Sequence, residues 1–142
     1  MAKPVSGVSL VPGRAQGATF VLQDPLSFWG GLDAASGRII DRWHPQHGAA
    51  LSGRVLVMAA GRGSSSGSSV LAEAIRLGTA PAGIVLMTRD PIVTVGAMIA
   101  LELYGKACPV VLARADDWPL IVASGRISIT AEDDRATIAV AA

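Results

Sequence analysis

Nine consecutive residues, Gly61-Arg62-Gly63-Ser64-Ser65-Ser66-Gly67-Ser68-Ser69, bring five hydroxyls and one guanidinium together among three glycines. Two kinds of chemistry suit such a stretch. Backbone N–H groups and hydroxyls at a helix start, with an arginine beside them, can grip a carboxylate or a phosphate. A serine in the same setting can act as a base or nucleophile, because N–H donors and a nearby positive charge stabilise its alkoxide. An unassisted hydroxyl is a poor base. Its usual helper, a histidine backed by an acid, is not evident, since His44 and His47 are the only histidines. They stand three apart in a proline loop with no third ligand nearby, and read as solvated loop residues rather than a metal site. The stretch also matches neither common phosphate signature. A P-loop requires Lys-Ser/Thr after its last glycine, where Gly67 is followed by Ser68-Ser69. The dinucleotide fingerprint is G-x-G-x-x-G, and Gly61, Gly63 and Gly67 are spaced one residue too long.

The elements on either side explain how these residues would be held. Val55-Leu56-Val57-Met58-Ala59-Ala60 leads in as a buried strand, and Val70 to Leu77 leads out as an amphipathic helix stopped by Gly78. Ala82 to Thr88 is a second buried strand. Asp90-Pro91 then opens a helix over about 91–104 with an N-cap and a proline at its first position, and Gly105 ends it. That helix is apolar almost all round, so it is expected to be buried or to lie under a partner. Pro109 to Ala113 is a third apolar strand, followed by a turn at Asp116-Asp117. At the ends of the chain the period changes to two. Residues 8–23 suit strands broken at Pro12-Gly13, Arg38 to Arg42 reads as a short strand, and residues 126–130 and 136–140 form a hairpin. The sum is an α/β domain with a central strand–helix–strand–helix–strand unit and a β-rich layer supplied by both termini.

Composition bounds the function. Lys+Arg 12 against Asp+Glu 11 leaves a net charge of +1, and the basic residues are scattered, so no footprint for nucleic acid or anionic lipid is present. No apolar run approaches the roughly 18 residues of a membrane helix. The start lacks the apolar core of a signal peptide, and a cytoplasmic location is the default expectation. Only 16% of residues are charged, against about a quarter in ordinary domains, which suggests a surface partly covered by another chain. The single cysteine, Cys108, excludes an internal disulfide, cannot by itself hold an iron–sulfur cluster, and reads as a small core residue. Trp29, Trp43 and Trp118 read as packing or interface residues, since no basic patch accompanies them.

The serine stretch, Leu77-Gly78-Thr79-Ala80-Pro81-Ala82-Gly83-Ile84-Val85, Asp90-Pro91-Ile92 through Gly96-Ala97, and Pro109-Val110-Val111 together resemble the small, swivelling subunit of aconitase X. The specific motifs run from about Gly53 to Val111, and the resemblance is compatible with one swivel domain over 1–142. It implies a β/β/α swivelling fold and a hydro-lyase made of a large and a small part. It also implies an iron–sulfur cluster held by the large aconitase X subunit and not by this chain. In ordinary aconitases the corresponding loop presents a catalytic serine in a Gly-Ser-Ser-Arg context. Gly63-Ser64-Ser65 is similar to that Gly-Ser-Ser, which nominates Ser64 as the base, with Ser65 the second candidate. Ser66 stands where the arginine would be, so the resemblance hands anion binding to Arg62, with Gly63 and Ser66 beside it. The implied substrate is cis-3-hydroxy-L-proline, with mevalonate 5-phosphate the alternative of the archaeal branch. A reading of another class also stands at this point: a non-catalytic module whose loop simply grips an anion.

Overall fold

The structure, a computed structural model, describes residues 3–142. Two long strands, β1 (Lys3–Val11) and β2 (Gly13–Val21), open the chain. An excursion follows, made of the irregular turn α1 (Phe28–Gly31) and a small ribbon, β3 (Leu32–Asp33) with β4 (Arg38–Ile39). The centre is β5 (Val55–Met58), α2 (Gly67–Leu77), β6 (Gly83–Leu86), α3 (Pro91–Tyr104) and β7 (Val110–Ala113). A 3-10 turn at Ala115–Asp117 and a short helix, α4 (Trp118–Val122), lead to the closing hairpin β8 (Arg126–Ala131) and β9 (Arg135–Ala141).

The expected strand–helix–strand–helix–strand centre is present, and its three strands run parallel in the order β5-β6-β7. Because side chains alternate across a strand, each register row has a fixed destination. The row Leu56, Ile84, Val110 joins the core beneath the helices, and the row Val57, Val85, Val111 joins a second core on the other side. Strands covered on both faces must be apolar throughout, which is why β5 and β6 read as unbroken hydrophobic runs.

The terminal strands make the opposite wall. β2 lies parallel to β5, β8 and β9 pair antiparallel beside it, and β1 bridges β9 to β7, closing a seven-stranded barrel. The layer order is therefore β/β/α, as the resemblance implied. The terminal layer, however, is continuous with the central sheet and does not merely stack on it. Ile127, Ile129, Ile138 and Val140 of the hairpin fill the barrel interior, in agreement with its period-two pattern.

Helices α2 and α3 cover the outer side of β5–β7. Asp90 Oδ1 accepts from the Ile92 and Val93 N–H groups at 2.9 and 3.2 Å, so the expected N-cap of α3 is made. The helices approach closely at Gly96, where a Cβ would stand 2.7 Å from the Ser68 carbonyl oxygen. Only one side of the apolar α3 is buried. Val93, Ala97 and Ala100 are inside, whereas Val95, Met98 and Leu103 are 45%, 48% and 70% exposed. No helix among the described residues is long and apolar enough to cross a membrane.

Two local expectations need correction, and one element was missed. Helix α2 begins at Gly67 and not Val70, because the serines themselves form its first turn. Pairing on Arg38–Arg42 is limited to Arg38–Ile39, since the chain turns away at Asp41. Helix α4 was not foreseen beyond the Asp116-Asp117 turn; it starts after Asp117 with Pro119 in its first turn and delivers Ile121 into the barrel core.

Candidate functional site

Strands β2, β5, β6 and β7 all point the same way, so the segments that follow them gather at one edge of the sheet. In open and closed α/β sheets this carboxyl edge is where ligands are held. Residues 22–27 follow β2, residues 59–66 follow β5 and residues 87–90 follow β6. The last two are laced together by the Met87 and Thr88 N–H groups, which donate to the Ala59 carbonyl at 3.2 and 2.9 Å.

Within the serine loop the backbone folds on itself. Gly67 N–H donates to the Ser64 carbonyl at 2.9 Å and Ser68 N–H to the Ser65 carbonyl at 3.1 Å. Ser66 N–H donates to the hydroxyl oxygen of Ser64 at 3.1 Å. This differs from the expectation of free amides at the helix start. The N–H groups of Ser66, Gly67 and Ser68 are engaged, and one of them lands on a serine side chain. A hydrogen bond donated to a hydroxyl oxygen favours its ionised form. The positive end of α2 acts in the same direction.

Each nominated residue has a definite place. Ser64 and Ser65 are exposed, and Ser64 alone of the two receives an amide on its Oγ. Ser66 occupies the N-cap position of α2 in helical geometry, and its side chain makes no capping bond. Arg62 is exposed and, among the described residues, has no ion-pair partner. Gly63 has φ +107°, a left-handed conformation that other residues rarely adopt, and a Cβ there would run into the Ser27 side chain. Ser68 belongs to the scaffold: it is buried, and its hydroxyl donates to the Ile92 carbonyl at 2.7 Å, tying α2 to α3.

Two neighbours were not foreseen. Ser27, held in its turn by donation to the Trp29 carbonyl at 3.1 Å, packs directly on Gly63. Asp90 turns its second oxygen, Oδ2, toward Gly61 so closely that no side chain fits between them. Neither contact has a local sequence signal. Only the parallel alignment of β2, β5 and β6 predicts that their trailing loops meet.

The histidines are corrected in part. His47 is exposed, but His44 is 6% exposed and structural. Its Nδ1 accepts from the Gln46 N–H at 3.1 Å, which leaves the proton on Nε2 to be donated to the Asp24 carbonyl at 2.9 Å. That neutral ring has both nitrogens occupied and offers nothing to the serines. Cys108 is a core residue, as expected. Its thiol donates to the Pro81 carbonyl at 3.4 Å, and burial pushes its pKa up to about 12. Trp118 packs against the barrel core, while Trp29 and Trp43 are 59% and 94% exposed.

Known proteins place this arrangement. The family model for the aconitase X swivel domain matches residues 4–140. A cis-3-hydroxy-L-proline dehydratase of Pseudomonas aeruginosa is 48% identical over 102 residues, covering 72% of this chain and 18% of that protein. A phosphomevalonate dehydratase small subunit of Methanothermobacter thermautotrophicus is 42% identical over 88 residues, covering 62% of this chain and 67% of its own length. The holo-form crystal structure of Thermococcus kodakaraensis aconitase X superposes with a TM-score of 0.80 at 29% identity, covering 96% of this chain and 98% of that one. The chain spans about a fifth of the length of the hydroxyproline dehydratases it matches. With its β/β/α barrel and a serine loop at the carboxyl edge of the parallel strands, this chain belongs to the aconitase X swivel-domain family.

Proposed function

We propose that this chain, taken as one swivel domain over residues 1–142, is the small part of a two-part hydro-lyase in which Ser64 is the base. The observation that carries the reading is the Ser66 N–H donated to Ser64 Oγ at 3.1 Å. It singles out one hydroxyl of three and favours its alkoxide without a histidine. Ser65 lacks that donor, which makes it the weaker candidate.

In this reading Ser64 takes the proton alpha to the substrate carboxylate, and Arg62 holds that carboxylate, with Gly63 and Ser66 lining the approach. As the C=C bond forms, the C–O bond to the neighbouring hydroxyl breaks. The proton taken up by Ser64 balances the released hydroxide as one water, which returns the serine to its starting state. Cis-3-hydroxy-L-proline is the substrate favoured in this reading, supported by the bacterial relative of that name, 48% identical over 102 residues. Its dehydration gives an enamine that tautomerises to Δ1-pyrroline-2-carboxylate. Mevalonate 5-phosphate is the alternative, motivated by the 42% identity to the methanogen small subunit.

An iron–sulfur cluster does not fit this chain. Its one cysteine is buried with its thiol held protonated, and the described residues include no group of three or more His, Cys, Asp or Glu able to hold a metal. In the proposal the cluster belongs to the large aconitase X subunit, and this chain contributes the base and the anion contacts. A covering partner also suits the bare outer side of α3 and the exposed Trp29 and Trp43.

The test is to co-express the chain with its large counterpart and assay dehydration of both compounds. Turnover of cis-3-hydroxy-L-proline by the pair, and none by this chain alone, is the expected result. Turnover of mevalonate 5-phosphate only would replace the substrate. Tight anion binding by the isolated chain, with no activity from the pair, would favour the non-catalytic module.

A further inference from the structure

The contact between Gly61 and Asp90 has an arginine immediately beside it on each strand of the crossing: Arg62 follows Gly61, and Arg89 precedes Asp90. These arginines leave the carboxyl ends of neighbouring parallel strands, β5 and β6, whose trailing loops are joined by two hydrogen bonds to the Ala59 carbonyl. Their main chains thereby lie on adjoining loops at one edge of the sheet. Both are exposed, and among the described residues neither has an ion-pair or side-chain hydrogen-bond partner. The acid between them, Asp90, forms an ion pair with neither. Asp90 is 9% exposed, its Oδ1 is committed to the Ile92 and Val93 amides, and its Oδ2 abuts Gly61. Arg62 belongs to the serine loop and was foreseen as an anion contact. Arg89 lies 27 positions further on and has been given no role.

We propose that Arg89 is a second substrate-binding arginine, forming with Arg62 a two-guanidinium clamp for one carboxylate beside the serines. A guanidinium presents a planar fork that matches a carboxylate's two oxygens, and two forks can share one carboxylate from different sides. The clamp fixes the orientation of the carbon that bears the acidic hydrogen, because that carbon is bonded to the clamped group. It therefore selects 2-carboxylates over neutral hydroxy compounds. The inference rests on reading the loop as a substrate site, and Arg89 acts by binding rather than by moving protons.

The experiment uses the assembled two-part enzyme with whichever of cis-3-hydroxy-L-proline and mevalonate 5-phosphate it turns over. Arg89→Ala is expected to raise KM by about 10- to 100-fold, the range for losing a hydrogen bond to a charged group, with a smaller change in kcat. Added guanidinium ion should restore part of the loss, which it would not do for a structural defect, and Arg89→Lys should fall between. Kinetics for Arg89→Ala within twofold of the unmodified enzyme would overturn the clamp. So would failure of Arg89→Ala to assemble with the large part, because Arg89 would then be an interface residue. The serine reading is judged separately. If Ser64→Ala and Ser65→Ala both keep full activity while Arg89→Ala loses substrate affinity, the base assignment fails and the clamp stands.

Discussion

At the scale of single residues, the site depends on a bend that only certain side chains permit. Gly63 combines a φ of +107° with a Ser27 side chain standing where its Cβ would be. Gly63→Ala is therefore expected to destabilise the chain by roughly 1–3 kcal/mol and to displace Ser64. Thermal unfolding and turnover of the reconstituted enzyme measure the two effects, and an unchanged melting temperature would contradict the packing. The residue types of the site were legible in the sequence, since no other stretch collects hydroxyls, glycines and an arginine so densely. Their individual duties were not. Which serine receives an amide depends on how the backbone closes between Ser64 and Ser68, and three adjacent serines look alike in one dimension. His44 shows the same limit. Its polar, proline-flanked setting suggested solvent, whereas the Asp24 carbonyl and the Gln46 amide hold it inside.

At the scale of elements, two features hold the loop from behind. Asp90 caps α3 with two amide bonds while its other oxygen abuts Gly61. Asp90→Ala should cost about 0.5–2 kcal/mol, the usual loss for an N-cap, and Asp90→Asn much less, as read by urea unfolding. Equal stability of Asp90→Ala and the unmodified chain would remove the capping role. Gly96 lets α3 approach Ser68 and Leu71 of α2, so Gly96→Ala should cost roughly 1–3 kcal/mol through overpacking, measured in the same way. The central strands and helices were easy to read because apolar runs, an Asp-Pro start and terminal glycines all agree. α4 and the true start of α2 were hidden, because a five-residue helix has too little periodicity to see, and serines are weak helix formers taken into α2 by tertiary contact.

For the whole molecule, the barrel ties both termini to the parallel strands, so stability and site geometry are shared. Cys108 offers a probe of that unit. Its folded pKa of about 12 lies above the ordinary 9.0, so in alkali the unfolded chain releases a proton that the folded chain keeps. The stability tied to the buried thiol is complete below pH 9.0 and is lost as the pH rises toward about 12. Urea midpoints taken across that window should fall more steeply for the native chain than for Cys108→Ala. Parallel slopes would show that the thiol does not contribute.

The α/β class and the β-rich layer from both termini were readable from alternation, and the β/β/α layer order came from the family resemblance. Barrel closure was legible in neither, because the pairing of β1 with β7 joins residues a hundred positions apart. Exposed apolar side chains lie on the outer side of α3 and at Trp29 and Trp43. The most direct test of the proposed chemistry is a single-turnover dehydration assay of the reconstituted enzyme carrying Ser64→Ala or Ser65→Ala, with assembly checked by gel filtration. Ser64→Ala should slow the chemical step by about 10²- to 10⁴-fold while leaving assembly intact, and Ser65→Ala should slow it far less. A Ser64→Ala enzyme that assembles and dehydrates its substrate at the unmodified rate would contradict the assignment of the base.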